Sequence, residues 1–184
     1  DKRDDNVEGR NVYEIFNYQI AYEIRLQQAM EENLLCPFHY FGITDLSMIG
    51  DEEAARDFNM LTSDERVRHI VNQADYYGYS GDKVKGLIFC SNIKETEELS
   101  AKFNQIINPA TGKNFRTVAL NGSASEQERQ DAFERLAMNE DESSEDRQPL
   151  DYIFSVEILN EGVDIVEVNQ VIMLRPTQSP IVFI

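Results

Sequence analysis

The residues best placed to do chemistry are crowded between Ser155 and Asp164, in the segment SVEILNEGVD. A small hydroxyl residue is followed by a polar hook, Glu157 to Asp164, which carries Glu161, the one glycine of the stretch, Gly162, and the carboxylate of Asp164. An ionised carboxylate only accepts hydrogen bonds and accepts them strongly, so it suits a ligand hydroxyl. A glycine lets a backbone approach a ligand closely. The set is suited to presenting groups to a ligand. By itself, Asp164 could equally be a turn residue bonded to its own backbone.

Two short apolar runs flank the hook, Tyr152–Val156 and Val168–Leu174. Each has the length of a strand buried on both faces of a parallel sheet. In open α/β sheets ligands bind beyond the carboxyl ends of the strands, where Ser155, Glu161, Gly162 and Asp164 would lie. Two other segments repeat the pattern. Gly86–Asn92 (GLIFCSN) reads as the end of a buried strand, Val84–Cys90, with Ser91-Asn92 opening a helix. Free amides at a helix N-terminus suit a phosphate, although Asn92 could simply be an N-cap. Leu120–Arg129 (LNGSASEQER) leaves a strand, Phe115–Leu120, turns at Asn121-Gly122 and enters a helix capped at Ser125. Arg129 on that helix could form an ion pair with Glu126 or Asp131.

These three segments resemble motifs of the superfamily 2 helicases and translocases. Ser155-Val156-Glu157 with Gly162-Val163-Asp164 resembles motif V, and GLIFCSN resembles motif IV. LNGSASEQER occupies the place of motif IVa, with Gly122 and Arg129 matching and Asn121 and Glu126 replacing the usual His and Gln. Asn160–Asp164 with Arg175-Pro176-Thr177 is more similar to the DNA-translocating members, such as restriction-enzyme motors, than to DEAD-box RNA helicases. The resemblance implies an α/β fold, a RecA-like parallel sheet with helices on both faces. It implies nucleic-acid backbone contacts from Ser91, Asn92, Gly122 and Ser155. It also implies ATP contacts from Gly162 and Asp164, the latter at the ribose, and an interdomain or backbone contact from Arg129. ATP with Mg2+ would be the cofactor of the full-length protein, and this piece would hold none alone. Nucleic acid, DNA rather than RNA, and the first RecA-like domain of the same chain are the implied partners.

Composition sets limits. The 184 residues carry 34 acidic and 17 basic side chains, a net charge of −17. That opposes strong non-specific binding of phosphates by this piece alone, since such contacts need Lys and Arg. Five of the acids form one run, Glu140 to Asp146, which reads as a solvated loop. No apolar run approaches the roughly 18 residues of a membrane span. Cys36 and Cys90 read as buried thiols of a cytoplasmic protein, and His39 and His69 have no ligand partners nearby, so no metal site is expected. The chain has no initiator Met and stops inside the apolar run Ile181–Ile184, as an excised piece would. No Walker A loop is present, Gly112-Lys113-Asn114 lacking the rest of that pattern. The arginine-rich motif VI would fall past Ile184.

The remaining elements follow from periodicity. Residues 1–82 read as a mainly helical arm or linker from a preceding ATPase domain, and residues 83–184 as the RecA-like domain. Within the arm, Asn17–Glu32 has roughly helical spacing, and Pro37–Ile43 (PFHYFGI) reads as a strand. Asp51–Phe58 reads as a helix. Thr62 to Glu65 has capping-box form with Thr62 as the cap, opening a helix with Val67, Ile70, Val71 and Ala74 on one face and Gly78 as terminator. Tyr76, Tyr77 and Tyr79 read as packing around that helix end. Downstream, a helix from Asn92 buries Leu99, Phe103, Ile106 and Ile107 and stops at Asn108-Pro109. Another from Ser125 buries Ala132, Phe133, Leu136 and Ala137. Ser179-Pro180 would open a last helix. The functional expectation is half of the ATP cleft and part of the nucleic-acid track of an ATP-dependent motor, inactive by itself. The alternative is a non-catalytic RecA-like protein-docking module that uses the acidic loop.

Overall fold

The computed structural model describes residues 17–19, 24, 26–35, 38–43, 58–156, 158–159 and 165–174. The chain divides into two compact units, Asp1–Ile43 and Thr44–Ile184. In the first unit the helix is shorter than its sequence pattern, α1 running only from Leu26 to Glu31. Asn17 and Tyr18 have φ of 49° and 57°, so the expected start at Asn17 is not helical. Asn33, at φ 57°, closes the helix as a left-handed cap residue, and the amide of Leu34 bonds the carbonyl of Ala29 at 2.8 Å. The strand expected over Pro37–Ile43 does not form across 38–43, where Phe38, Tyr40, Phe41 and Ile43 are exposed. β-branched and aromatic residues favour a strand only where a neighbouring strand exists to pair with, and no described strand pairs with residues 38–43.

The second unit is an open α/β layer structure. After the short α2, Phe58–Leu61, helix α3 spans Asp64–Tyr77. Its cap is Ser63 rather than Thr62: the Ser63 hydroxyl accepts from the amide of Arg66 at 3.2 Å. Thr62 is buried, and its carbonyl accepts from Lys102 Nζ at 2.7 Å. Gly78 ends the helix at φ 67° with its amide on Ala74.

Strands β1 (Gly86–Phe89), β2 (Thr117–Leu120), β3 (Tyr152–Ser155) and β4 (Gln170–Met173) form one sheet in the order β2-β3-β1-β4, every pair parallel. Alternate residues of the central strands serve opposite layers, as the strand period of two requires. Ile88, Tyr152 and Phe154 join Val67, Ile70 and Val71 of α3 with Leu99 and Phe103 of α4 (Ile93–Phe103) on one face. Leu87, Phe89 and Ile153 join Leu120 with Ala132 and Leu136 of α5 (Glu126–Ala137) on the other. Both central strands are buried throughout, which is why their sequences run apolar without alternation.

Helix α4 ends at Phe103, earlier than the Asn108-Pro109 stop. Ile107, expected inside, is 60% exposed and sits in an antiparallel bridge with Asn114. Of the tyrosines at the end of α3, Tyr79 packs on the core, whereas Tyr76 is exposed and stands edge-on to Tyr77. The acidic run opens with a 3-10 turn, Glu140–Glu142, anchored to the body by Glu140 against Arg116. The helix expected from Ser179 and most of Asp51–Phe58 lie outside the described residues. No described helix is long and apolar enough to cross a membrane.

Candidate functional site at the carboxyl edge of the sheet

The parallel register puts Leu120, Ser155, Phe89 and Met173 in one row across the sheet. The described residues that directly follow therefore emerge along one edge: Asn121-Gly122 after β2, Val156, Ile158 and Leu159 after β3, Ser91-Asn92 after β1. Topology alone brings together three of the segments singled out by sequence. Gly162 and Asp164, like Glu161, lie outside the described residues.

Ser155 has no exposed surface. Its hydroxyl donates to the carbonyl of Ile158 at 2.9 Å, and its carbonyl accepts from the amide of Cys90 at 2.8 Å. The side chain is spent holding the first turn of the hook, with Leu159 next in a left-handed conformation at φ 64°. In this geometry Ser155 closes the turn to Ile158 with which the segment leading to Gly162 and Asp164 begins.

Ser91 and Asn92 are both exposed. Asn92 is the N-cap of α4, its Oδ1 accepting from the amide of Glu95 at 2.9 Å. The amide of Ser91 points inward and donates to Glu95 Oε2 at 2.7 Å. The amides of Ile93 and Lys94 belong to the open first turn of the helix. Glu95, in the first turn of α4, is not one of the candidate residues above. It is fully buried, and its other oxygen meets Arg66 Nη1 of α3 at 2.7 Å, with Arg66 only 1% exposed. The Asn-x-x-Glu spacing was a signal for Glu95, but nothing local pointed to Arg66.

At the third segment, Asn121 Oδ1 accepts from the amide of Ser123 at 2.9 Å and so fixes the turn. Gly122 is exposed. Arg129 Nη2 donates to the Gly122 carbonyl at 3.3 Å, which brings together the two residues that match motif IVa. Arg129 pairs with neither Glu126 nor Asp131; Asp131 is engaged by Arg147 at 3.1 Å and Arg135 at 3.6 Å. Arg129 Nε is buried without a hydrogen-bond partner among the described residues. Beside this turn, β2 and α5 enclose a cleft of about 510 Å³ that includes Asn121, Ser123 and Ser125.

The opposite edge of the sheet is electrostatically different. There burial pushes the Asp151 carboxyl up from its ordinary value and the Lys83 ammonium down. Arg116 holds the Glu140 carboxyl below its ordinary range through a direct hydrogen bond. No group of three His, Cys, Asp or Glu side chains that could hold a metal ion occurs among the described residues.

Residues 65–184 match the family model described as the helicase conserved C-terminal domain. No curated protein matches the chain.

Proposed function

The chain belongs to the helicase conserved C-terminal domain family, and from that premise we propose that it is the second RecA-like domain of a superfamily 2 nucleic-acid-dependent ATPase. The observation that carries this reading is the single carboxyl edge on which the segments after β1, β2 and β3 converge, at the place where open α/β sheets bind ligands.

In the full-length protein ATP with Mg2+ would lie between this domain and a first RecA-like domain. Gly162 would allow close approach to the nucleotide, and Asp164 would accept from the ribose. Neither residue's placement is described, so their assignment rests on the motif V resemblance. Gly122, Ser91 and Asn92 would meet the nucleic-acid backbone, which positions the polymer without reading its sequence. Ser155 would act from beneath, by holding the hook. Arg129, through the Gly122 carbonyl, would brace the motif IVa turn or meet the neighbouring domain. DNA as the track follows from the likeness of Asn160–Asp164 and Arg175–Thr177 to DNA translocases, and a cytoplasmic setting from the reading of Cys36 and Cys90 as thiols.

The test is ATP hydrolysis by the full-length protein without nucleic acid, with duplex DNA and with single-stranded RNA. Stimulation by one polymer names the track. Absence of hydrolysis from folded protein under every condition would leave the docking module as the better reading, and deletion of residues 140–146 would then be the variant to examine for loss of a partner.

A further inference from the structure

We propose that Glu95 is a positioning residue for the nucleic-acid contact, acting through the Ser91 amide; this rests on the reading of Ser91-Asn92 as a backbone-contacting segment. The carboxylate is fully buried and divides its oxygens between two elements. Oε2 takes the Ser91 amide at 2.7 Å, and Oε1 takes Arg66 Nη1 at 2.7 Å. Arg66 Nη1 also donates to the Leu61 carbonyl at 2.5 Å. The clamp therefore ties the loop after β1 to helix α3.

A buried ion pair is a poor source of net stability compared with apolar packing. What a charge-assisted hydrogen bond fixes well is direction. With its amide turned inward, Ser91 can meet a phosphate only through its hydroxyl. The amides of Asn92, Ile93 and Lys94 make no hydrogen bond among the described residues and are left to a ligand, at a helix end whose dipole favours an anion. Glu95 thus decides which donors of the segment point outward. A bare carboxylate beneath a phosphate site would repel the polymer, and Arg66 cancels that charge from within. This accounts for a residue type that packing alone would not select at a fully buried position.

The test compares two double variants of the full-length protein. Arg66→Met with Glu95→Gln removes the charges and keeps an acceptor for the Ser91 amide. Arg66→Met with Glu95→Met keeps the packing volume and removes the acceptor. ATP hydrolysis is measured against the concentration of the stimulating polynucleotide. The Met/Met protein is expected to need about tenfold more polynucleotide for half-saturation, as loss of one hydrogen bond predicts, with a smaller change in maximal rate. The Met/Gln protein is expected to stay close to the unsubstituted one. Hydrogen exchange at the Ser91 amide should be fast in the first and slow in the second. Equal half-saturation in the two folded variants overturns the role of Glu95. If the Met/Met protein does not fold, Glu95→Asp carries the test: it withdraws the carboxylate by one methylene and should raise half-saturation, and an unchanged value overturns the proposal. Absence of any polynucleotide dependence in the unsubstituted protein overturns the underlying reading instead.

Discussion

Asn104 makes both backbone hydrogen bonds that a neighbouring strand would otherwise offer to Thr117: its Oδ1 accepts from the Thr117 amide at 2.7 Å, and its Nδ2 donates to the Thr117 carbonyl at 3.2 Å. Thr117 opens β2, which is an edge strand among the described residues. The amide of Asn104 thereby stands in for a fifth strand at its first position, and the chain leaves helix α4 at that point to do so. Unpaired edges invite pairing between molecules. Asn104→Ala should retain the fold, lose about 1 kcal/mol of stability, and associate at concentrations where the unsubstituted chain does not. Light scattering against concentration checks this; no added association would mean that the edge is protected elsewhere.

Gly86 faces Tyr152 across the β1–β3 register. A Cβ at position 86 would run into the tyrosine ring at Cδ1 and Cε1. The ring cannot step aside freely. It is 2% exposed, and its hydroxyl donates to Gln170 Oε1 at 2.6 Å. Overpacking of this kind costs about 1–3 kcal/mol, so Gly86→Ala should lower the urea midpoint accordingly. A midpoint unchanged from the parent would show that the sheet opens to admit a methyl group.

Gly122 gives the opposite expectation. Nothing lies within 4 Å of a Cβ built there. Gly122→Ala should leave stability within about 0.5 kcal/mol. If the turn approaches a phosphate backbone, the same methyl group should raise the polynucleotide concentration needed to stimulate ATP hydrolysis in the full-length protein. Unchanged stimulation would remove Gly122 from the contact.

Ser125 and Glu128 form a complete capping box on α5. The Ser125 hydroxyl accepts from the Glu128 amide at 3.2 Å, and Glu128 Oε2 accepts from the Ser125 amide at 2.8 Å. The Ser125 amide, then its hydroxyl, hold the Glu128 carboxyl below its usual 4.5. A folded-state value below the unfolded one means that this contribution is complete above pH 4.5 and is lost as pH falls through the folded value. Ser125→Ala should cost about 1 kcal/mol near neutral pH. It should also flatten part of the acid limb, the amide contact remaining. Denaturant midpoints near neutrality and at about pH 3.5 test both; a difference between variant and parent that stays constant with pH would separate the cap from the titration.

The sequence disclosed the sheet better than its surroundings. β1 and β3 were legible because strands buried on both faces need apolar residues at every position, as in Leu87–Phe89 and Ile153–Phe154. The core face of α3 was legible from Val67, Ile70 and Val71. The cap was misplaced by one residue because Thr62 and Ser63 are both hydroxyl residues, and only the chain's entry angle separates them. PFHYFGI misled because strand propensity says nothing about whether a neighbouring strand exists. At the site, the order of the strands was hidden, yet Ser155, Ser91-Asn92 and Asn121-Gly122 were read as lying at or after strand ends, and the parallel register sets those three ends on one edge. The burial of Ser155 and the Arg66–Glu95 pair were not legible. Both depend on where distant segments pack, and Arg66 comes from a helix that the motif pattern does not include.

The functional reading turns on Asp164. A carboxylate that accepts a hydrogen bond from a ribose hydroxyl makes a charge-assisted contact, and such contacts contribute about 1.5–3 kcal/mol. Asp164→Ala in the full-length protein should therefore weaken use of ATP by about tenfold to a hundredfold. If the contact is equally strong in the ground state and the transition state, the loss should fall on KM with kcat less affected. The stability of the domain should change little, because the contact is made to the ligand rather than to the fold. Steady-state kinetics with a saturating polynucleotide, beside a denaturant midpoint, separate the two outcomes. Kinetics indistinguishable from the parent would take Asp164 out of the nucleotide site and leave it as a turn residue of the hook that Ser155 holds. A large fall in stability with proportionate loss of all activity would place it in the fold.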